Sequence, residues 1–195
     1  MSGKDVAAFV REKIGLLDEE NPWSRGMRAK MRRGIGKAPG ELPEIWDLTL
    51  NGLKGDMRGK DGKASSAELA IHTALTLYAL HRQGALQSVS GGSDTFGGAA
   101  ARLIRKDALR LDSVKRRFNA AATSVDFTEL ANHARGIVQL LKAEGIILDY
   151  PSFASDLYYY QFPKTADNIR LKWGNDFYFV LGYKEPDKNG KDGAK

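Results

Sequence analysis

A strip of basic residues near the start of the chain is the first segment whose residue types could do chemistry. Between Trp23 and Gly40 it reads WSRGMRAKMRRGIGKAPG and holds six cations and no acid: Arg25, Arg28, Lys30, Arg32, Arg33 and Lys37. Arginine outnumbers lysine four to two here, and the planar guanidinium fork suits phosphate oxygens. Like charges at helical spacing are mildly destabilising. The density of cations therefore favours a surface that binds an anion.

A second basic run lies further along the chain, in RLIRKDALRLDSVKRRFN. Its cations, diluted by two aspartates, are Arg102, Arg105, Lys106, Arg110, Lys115, Arg116 and Arg117. Together the two runs predict one phosphate-binding surface. Its predicted members are Arg25, Arg28, Arg32, Arg33, Lys37, Arg105, Lys115, Arg116 and Arg117.

Other kinds of site have little support among the residue types. The chain has no cysteine, which excludes disulfides, thiolate metal sites and a cysteine nucleophile. His72, His81 and His133 do not form a metal-binding pair, and no carboxylates cluster as in a two-metal nuclease. We therefore expect no catalytic centre, no metal and no cofactor. The glycine-rich TFGGAAARL either presents backbone N–H groups to an anion or allows close helix packing, and both alternatives stay open.

The elements that must position these cations are helices. Asn21 and Pro22 begin one that places Trp23, Met27 and Met31 on an apolar face, with the arginines opposite. In DFTELANHARGIVQLLKAEG, a capping pair begins a helix that ends at a glycine, and SSAELAIHTALTLYALHRQG is apolar over most of its circumference. Strict period-two alternation is scarce. The fold is predicted to be all-α, as two small helical bundles joined by a short connection.

Composition and breaks in the pattern bound the organisation. A net charge of +6 and 42% hydrophobic residues describe an ordinary, somewhat basic globular protein, and we expect it to be soluble and cytoplasmic. We predict an N-terminal helical domain at residues 1–109, with the basic helix and a mobile loop at 51–66. A C-terminal helical bundle is predicted at 110–183 and a disordered tail at 184–195.

The chain resembles a known family in four segments that occur in the same order. They are MRAKMRRGIGKAPGELPEIWDLTL, LTLYALHRQG, KRRFNAAATSVDFTELANHARGIVQLLKAEGIILDYPSFASDLYYYQ and RLKWGNDFY. The family is the CasB-type small subunit of the type I-E CRISPR effector complex, Cascade. The combination is specific and covers most of the chain.

The resemblance implies an all-helical subunit without enzymatic activity. Its implied partners are the other subunits of the complex, a second copy of itself, guide RNA and target DNA, including the displaced single strand. The resemblance does not imply binding to a membrane. The residues that match the family's basic segments are Arg28, Arg32, Arg33, Arg116 and Arg117; the other predicted site residues come from charge and facing alone. The chain departs from its relatives at Gly98, where they often carry a basic residue, and at Ala120–Ala122, where they are bulkier.

Two other functions remain open from the residues. A stand-alone helical regulator would bind duplex DNA through a recognition helix with base-reading side chains, whereas the densest helix here offers mostly Arg and Lys. A nuclease would need the scattered His and Asp residues to converge on a metal.

Overall fold

The fold consists of helices joined by turns and by three longer loops, at residues 34–45, 50–65 and 82–95. The computed structural model describes residues 2–92 and 94–182, and these ranges contain no strand beyond two isolated bridges. The α-helices are α1 (Gly3–Asp18), α2 (Pro22–Arg33), α3 (Trp46–Thr49), α4 (Ser66–His81), α5 (Phe96–Lys106), α6 (Leu111–Ala122), α7 (Phe127–Glu144), α8 (Tyr150–Tyr160) and α9 (Pro163–Gly182). The all-α prediction is confirmed. The tail predicted at 184–195 lies outside the described residues.

Capping residues begin α2 and α7, and end α7, where the sequence predicts. The Asn21 Oδ1 atom accepts from the Ser24 N–H at 2.8 Å, so α2 begins at the proline that follows. Asp126 caps α7 in the same way, at 2.8 Å from the Glu129 N–H, and Gly145 ends that helix in the left-handed conformation at φ 62°.

Helix α4 lies at the centre of the core, as its sequence predicts. Eleven of its sixteen residues are buried, and it contacts α1, α2, α7 and α8. Helices from both sides of residue 110 share the core, because α1 packs on α8 and α5 packs on α9. The division of the chain near Arg110 stays a prediction.

The glycine-rich start of α5 allows close packing against α9. A Cβ atom at Gly97 would lie 2.1 Å from the Trp173 carbonyl oxygen, so only glycine fits there. The Gly98 N–H donates to the Thr95 side chain at 3.2 Å, and both glycines are buried. Of the two alternatives, the structure supports packing. The other alternative, an anion bound by backbone N–H groups, gains no support at Gly98, because that N–H already donates to Thr95.

Two further expectations need correction. Loop 51–66 is predicted to be mobile because its Gly, Lys and Asp residues leave little to bury, yet Leu53 and Met57 are both at least 96% buried. Trp23 was expected on the apolar face of α2 and is 49% exposed. Ser24 takes its place at the core, where its hydroxyl donates to the Leu16 carbonyl at 2.7 Å.

Candidate nucleic-acid interface

The buried face of α2 determines which of its cations reach solvent. That face consists of Ser24, Met27, Arg28 and Met31, the i, i+3, i+4, i+7 stripe of a 3.6-residue helix. Positions four residues apart drift around such a helix by about 40° each time, which carries Trp23 out of the stripe and Arg28 into it. The predicted outward position of Arg28 is therefore wrong.

Arg28 has a structural role. Its side chain is 7% exposed, and its Nη1 atom donates to the Leu17 carbonyl and, at 3.3 Å, to the Glu19 carbonyl. Its Nη2 atom lies 3.6 Å from a Glu20 carboxylate oxygen. Carbonyls at a helix end have no partner within the helix, so Arg28 fastens α2 to the end of α1.

Three of the remaining cations of the first run are exposed, and acids from flanking segments reach all three. Arg33 lies 2.9 Å from Glu44, Lys37 pairs with Glu41, and Arg25 lies 4.0 Å from Glu20. The expectation of uncompensated charge is therefore corrected, since acids outside the strip compensate part of it. Such exposed pairs contribute little to stability and exchange readily for another anion.

Arg32 differs from its neighbours. It is half-buried and forms no ion pair within the part of the chain that the structure describes. Partial burial and the nearby Arg28 lower the pKa of Arg32. An anion bound at this position would favour the charged form of Arg32 and so oppose both causes of the lowered pKa.

The second run divides into paired and unpaired cations. Arg102 pairs with Asp94 at 2.8 Å, and Arg110 pairs with Glu144 at 2.7 Å, so acids of the chain already compensate these two charges. Arg105 is half-buried in an open groove beside Arg102. Arg116 and Arg117, on α6, are exposed and have no ion pair with any described residue.

Lys115 lies next to an exposed aromatic segment that the sequence analysis did not include in the site. Its Nζ atom lies 5.8 Å from the ring centroid of Tyr178, on α9. Tyr178 is 59% exposed and its neighbour Phe179 is 75% exposed. The DFYFVLGY segment was the signal for these rings, but the pattern alone did not tell core positions from surface positions.

Helix α7 joins the two basic runs through a residue that was also missed. Arg135, which is exposed, lines a cleft together with Lys37 of the first run. The next residue is Gly136, and a Cβ there would lie 3.8 Å from Nη1 of Arg117, in the second run. Arg135 stands alone in its segment, so a search for dense charge does not find it. We call Arg25, Arg32, Arg33, Lys37, Arg116, Arg117 and Arg135 the basic surface.

The histidines lie in the packed interior or beside an acid. His72 and His81 are buried, and burial lowers the pKa of His81 to about 4 and also lowers that of His72. His133 lies 3.6 Å from Glu129. Within residues 2–92 and 94–182, no three potential metal ligands gather. In the same ranges, every helix is too short or too polar to cross a bilayer.

Comparison with known protein families identifies the family of the chain. The model of one family, CRISPR-associated protein Cse2, matches residues 27–178. The chain belongs to the Cse2 family. Among curated proteins, none matches the chain. The Cse2 match begins within α2 and ends at Tyr178, so it includes both basic runs except Arg25.

Solved structures agree with the Cse2 assignment. The crystal structure of CasB from Thermobifida fusca aligns with a TM-score of 0.74 at 29% identity, covering 89% of this chain and 98% of that one. The crystal structure of M. ruber CasB shares the fold, with a TM-score of 0.64 at 21% identity over 91% and 94% of the two chains. The resemblance to the CasB-type small subunit of type I-E Cascade is confirmed.

Proposed function

We propose that this Cse2-family chain is a non-catalytic subunit that holds opened target DNA on its basic surface within a type I-E CRISPR surveillance complex. The guide RNA reads the target sequence by base pairing in such complexes, and protein cations hold the strands by their phosphates. Phosphate contacts fix position and carry no sequence information. The basic surface consists mostly of arginines and offers no base-reading helix, so it suits phosphate binding while the guide RNA reads the sequence.

The observation that carries this proposal is the continuity of the basic surface through α7. Lys37 and Arg135 line one cleft, and the Arg117 guanidinium lies against Gly136. The two runs are therefore linked, although they are far apart in sequence. Four members have no acid partner among the described residues, namely Arg32, Arg116, Arg117 and Arg135.

The partners follow from the same surfaces. The displaced single strand of target DNA is the nucleic acid that fits best, because a basic track with exposed aromatics beside it is typical of single-strand binding. Tyr178 lies beside Lys115 in this way, and the next residue, Phe179, is also exposed. We propose that guide RNA, the other subunits and a second copy of the chain contact the remaining surface. Arg105 and Lys115 stay predicted contacts at the edge of the basic surface.

The test is target-DNA affinity of a guide-loaded type I-E complex that lacks its small subunit, with and without this chain. We expect the native chain to tighten binding and the double substitution Arg116→Glu/Arg117→Glu to weaken it at least tenfold. Lys4→Glu/Arg11→Glu is the matched control, because both residues are exposed on α1 and the charge change is the same. Equal affinity for the two double variants would remove the basic surface from the proposal.

A stand-alone regulator would differ both in assembly with the complex and in binding to duplex DNA. It would fail to join the complex and would prefer one duplex over random duplex by orders of magnitude. Incubation of the chain with labelled DNA and divalent metal tests for a nuclease, and we expect no cleavage.

A further inference from the structure

A cleft lies where the segment after α2 faces α7, between the two basic runs. Its volume is about 340 Å³, near the small end of the range for ligand pockets, roughly 300–1,000 Å³. Segment 35–39 forms one wall and the first half of α7 forms the other. Residues of α4, the most buried of the lining, form the floor.

The lining divides into cations, apolar side chains and a free amide. Lys37 and Arg135 are exposed cations on opposite walls. Ile35, Leu77 and Phe127 supply apolar surface. The exposed Asn132 amide, on α7, forms no hydrogen bond within the described part of the chain, so it is available to a ligand.

The wall formed by segment 35–39 is already in place before any ligand binds. The His72 Nε2 atom lies 2.9 Å from the Gly34 carbonyl oxygen and so fixes the start of the segment. The Lys37 N–H donates to that carbonyl at 3.1 Å, and a Glu41 carboxylate oxygen accepts from the Ala38 N–H at 3.1 Å. A preformed wall spares a ligand the entropy cost of ordering it.

The two cations are not equivalent. Lys37 already pairs with Glu41, whereas Arg135 has no acid partner among the described residues. A guanidinium can also bind a phosphate through two parallel hydrogen bonds. Arg135 is therefore the residue that would hold a phosphate group at the cleft.

We propose that the cleft binds a single nucleotide unstacked from the strand on the basic surface. The base lies against Ile35, Leu77 and Phe127 with an edge at Asn132, and its phosphate lies at Arg135. This inference rests on the proposed function for the strand, although the nucleotide site itself can be tested without it. Extruding a base costs least when the strand is already single, which is the state of displaced DNA.

The first test titrates the isolated chain with dAMP and follows backbone amide resonances by NMR. We expect saturable shifts at Gly36, Lys37, Asn132 and Arg135, and inorganic phosphate should bind at least fivefold more weakly. Equal effects of dAMP and phosphate would reduce the cleft to an anion site and overturn the inference. Shifts confined to another region would overturn it as well.

Two variants make this test specific. Ala131→Trp fills the cleft without changing charge, and we expect it to abolish the shifts, whereas Ala8→Trp on the exposed side of α1 should leave them unchanged. If Ala131→Trp does not fold, Arg135→Gln replaces it, with Arg11→Gln as its control, and should weaken dAMP binding about tenfold by the loss of a charge-assisted contact. Unaltered binding in the cleft variant that folds would overturn the inference.

The second test separates the inference from the proposed function. A single-stranded oligonucleotide with one 2-aminopurine is bound to the complex containing the native chain or Ala131→Trp. Anisotropy reports strand affinity, and 2-aminopurine fluorescence reports unstacking. Strand binding with the same fluorescence change in both would overturn the nucleotide site and leave the proposed function intact. If dAMP fills the cleft but the strand does not bind, the proposed function fails and the nucleotide site stands.

Discussion

The Arg28 guanidinium donates to two backbone carbonyls at the end of α1 and is almost fully buried there. Removing it leaves those carbonyls without a partner, and hydrogen bonds to a charged group contribute about 1.5–3 kcal/mol each. We expect Arg28→Ala to lower the free energy of unfolding by about 3 kcal/mol, a fall in Tm of roughly 6–12 °C. Thermal and denaturant unfolding followed by circular dichroism measure it.

Arg32→Ala is the matched control, because Arg32 is half-buried on the same helix and has no ion pair among the described residues. Its substitution should cost under about 1 kcal/mol of stability while weakening DNA binding by the complex. The opposite pattern, a stable Arg28→Ala chain with weakened DNA binding, would return Arg28 to the basic surface.

His81 makes stability depend on pH. Burial lowers its pKa in the folded chain to about 4, from an ordinary value of 6.5. Between these values the unfolded chain binds the proton and the folded chain does not, so the free energy of unfolding falls as the pH drops from 6.5 to 4. The contribution is about 3 kcal/mol at most. We expect His81→Gln to reduce this slope in urea titrations, and an unchanged slope would show that other groups cause it.

Individual positions of α2 show which buried residues the sequence could predict and which it could not. Met27 and Met31 were placed correctly on the buried face of α2, because either one fits a stripe spaced by three or by four. Trp23 and Arg28 were each predicted on the wrong face, because the stripe can be placed only when the neighbouring helix is known. Residue type favoured burying the tryptophan, but the unpaired carbonyls at the end of α1 required the arginine.

At the scale of elements, α5 and α9 pack so closely that Gly97 leaves no room for a Cβ atom. Since a Cβ at Gly97 would lie 2.1 Å from the Trp173 carbonyl oxygen, the helices must separate to accept any side chain. We expect Gly97→Ala to cost about 3 kcal/mol, at the upper end of overpacking effects. Urea unfolding of the purified chain measures it.

Gly98→Ala is the control for that substitution. Its Cβ would have neighbours at 3.3 Å and 3.4 Å, both side-chain atoms, and alanine improves helix propensity by up to about 1 kcal/mol over glycine. The two effects should nearly cancel. A loss at position 98 as large as at position 97 would mean that the glycines serve helix initiation and not the contact with α9.

The sequence did not predict that α7 links the two basic runs. Its cap and its end were both predicted, because they depend on residues close together in the chain. The facing of Arg135 toward Lys37 depends on the packing of α7 against α4 and the segment after α2. The acids that pair with the basic strip are likewise supplied by flanking segments, and a count of charges inside the strip omits them.

For the whole molecule, the cations of the basic surface set how binding should respond to salt. The net charge of +6 attracts any polyanion, so affinity at one salt concentration does not distinguish bound phosphates from general attraction. The number of counterions released does distinguish them. If about six phosphates are engaged on a single strand, the logarithm of affinity falls with a slope near −4, a loss of roughly 300-fold between 50 and 200 mM salt.

The variant Arg116→Gln/Arg117→Gln tests this count directly, because each lost contact should reduce the slope by about 0.7, or about 1.4 for each copy of the chain. The measurement is the affinity of the guide-loaded complex for duplex target DNA, which supplies the displaced strand, at five or more salt concentrations. Lys4→Gln/Arg11→Gln, on exposed α1 positions, changes the net charge equally and should leave the slope as in the native complex. If both double variants shift the affinity but neither changes the slope, the arginines act through long-range attraction alone and hold no phosphate.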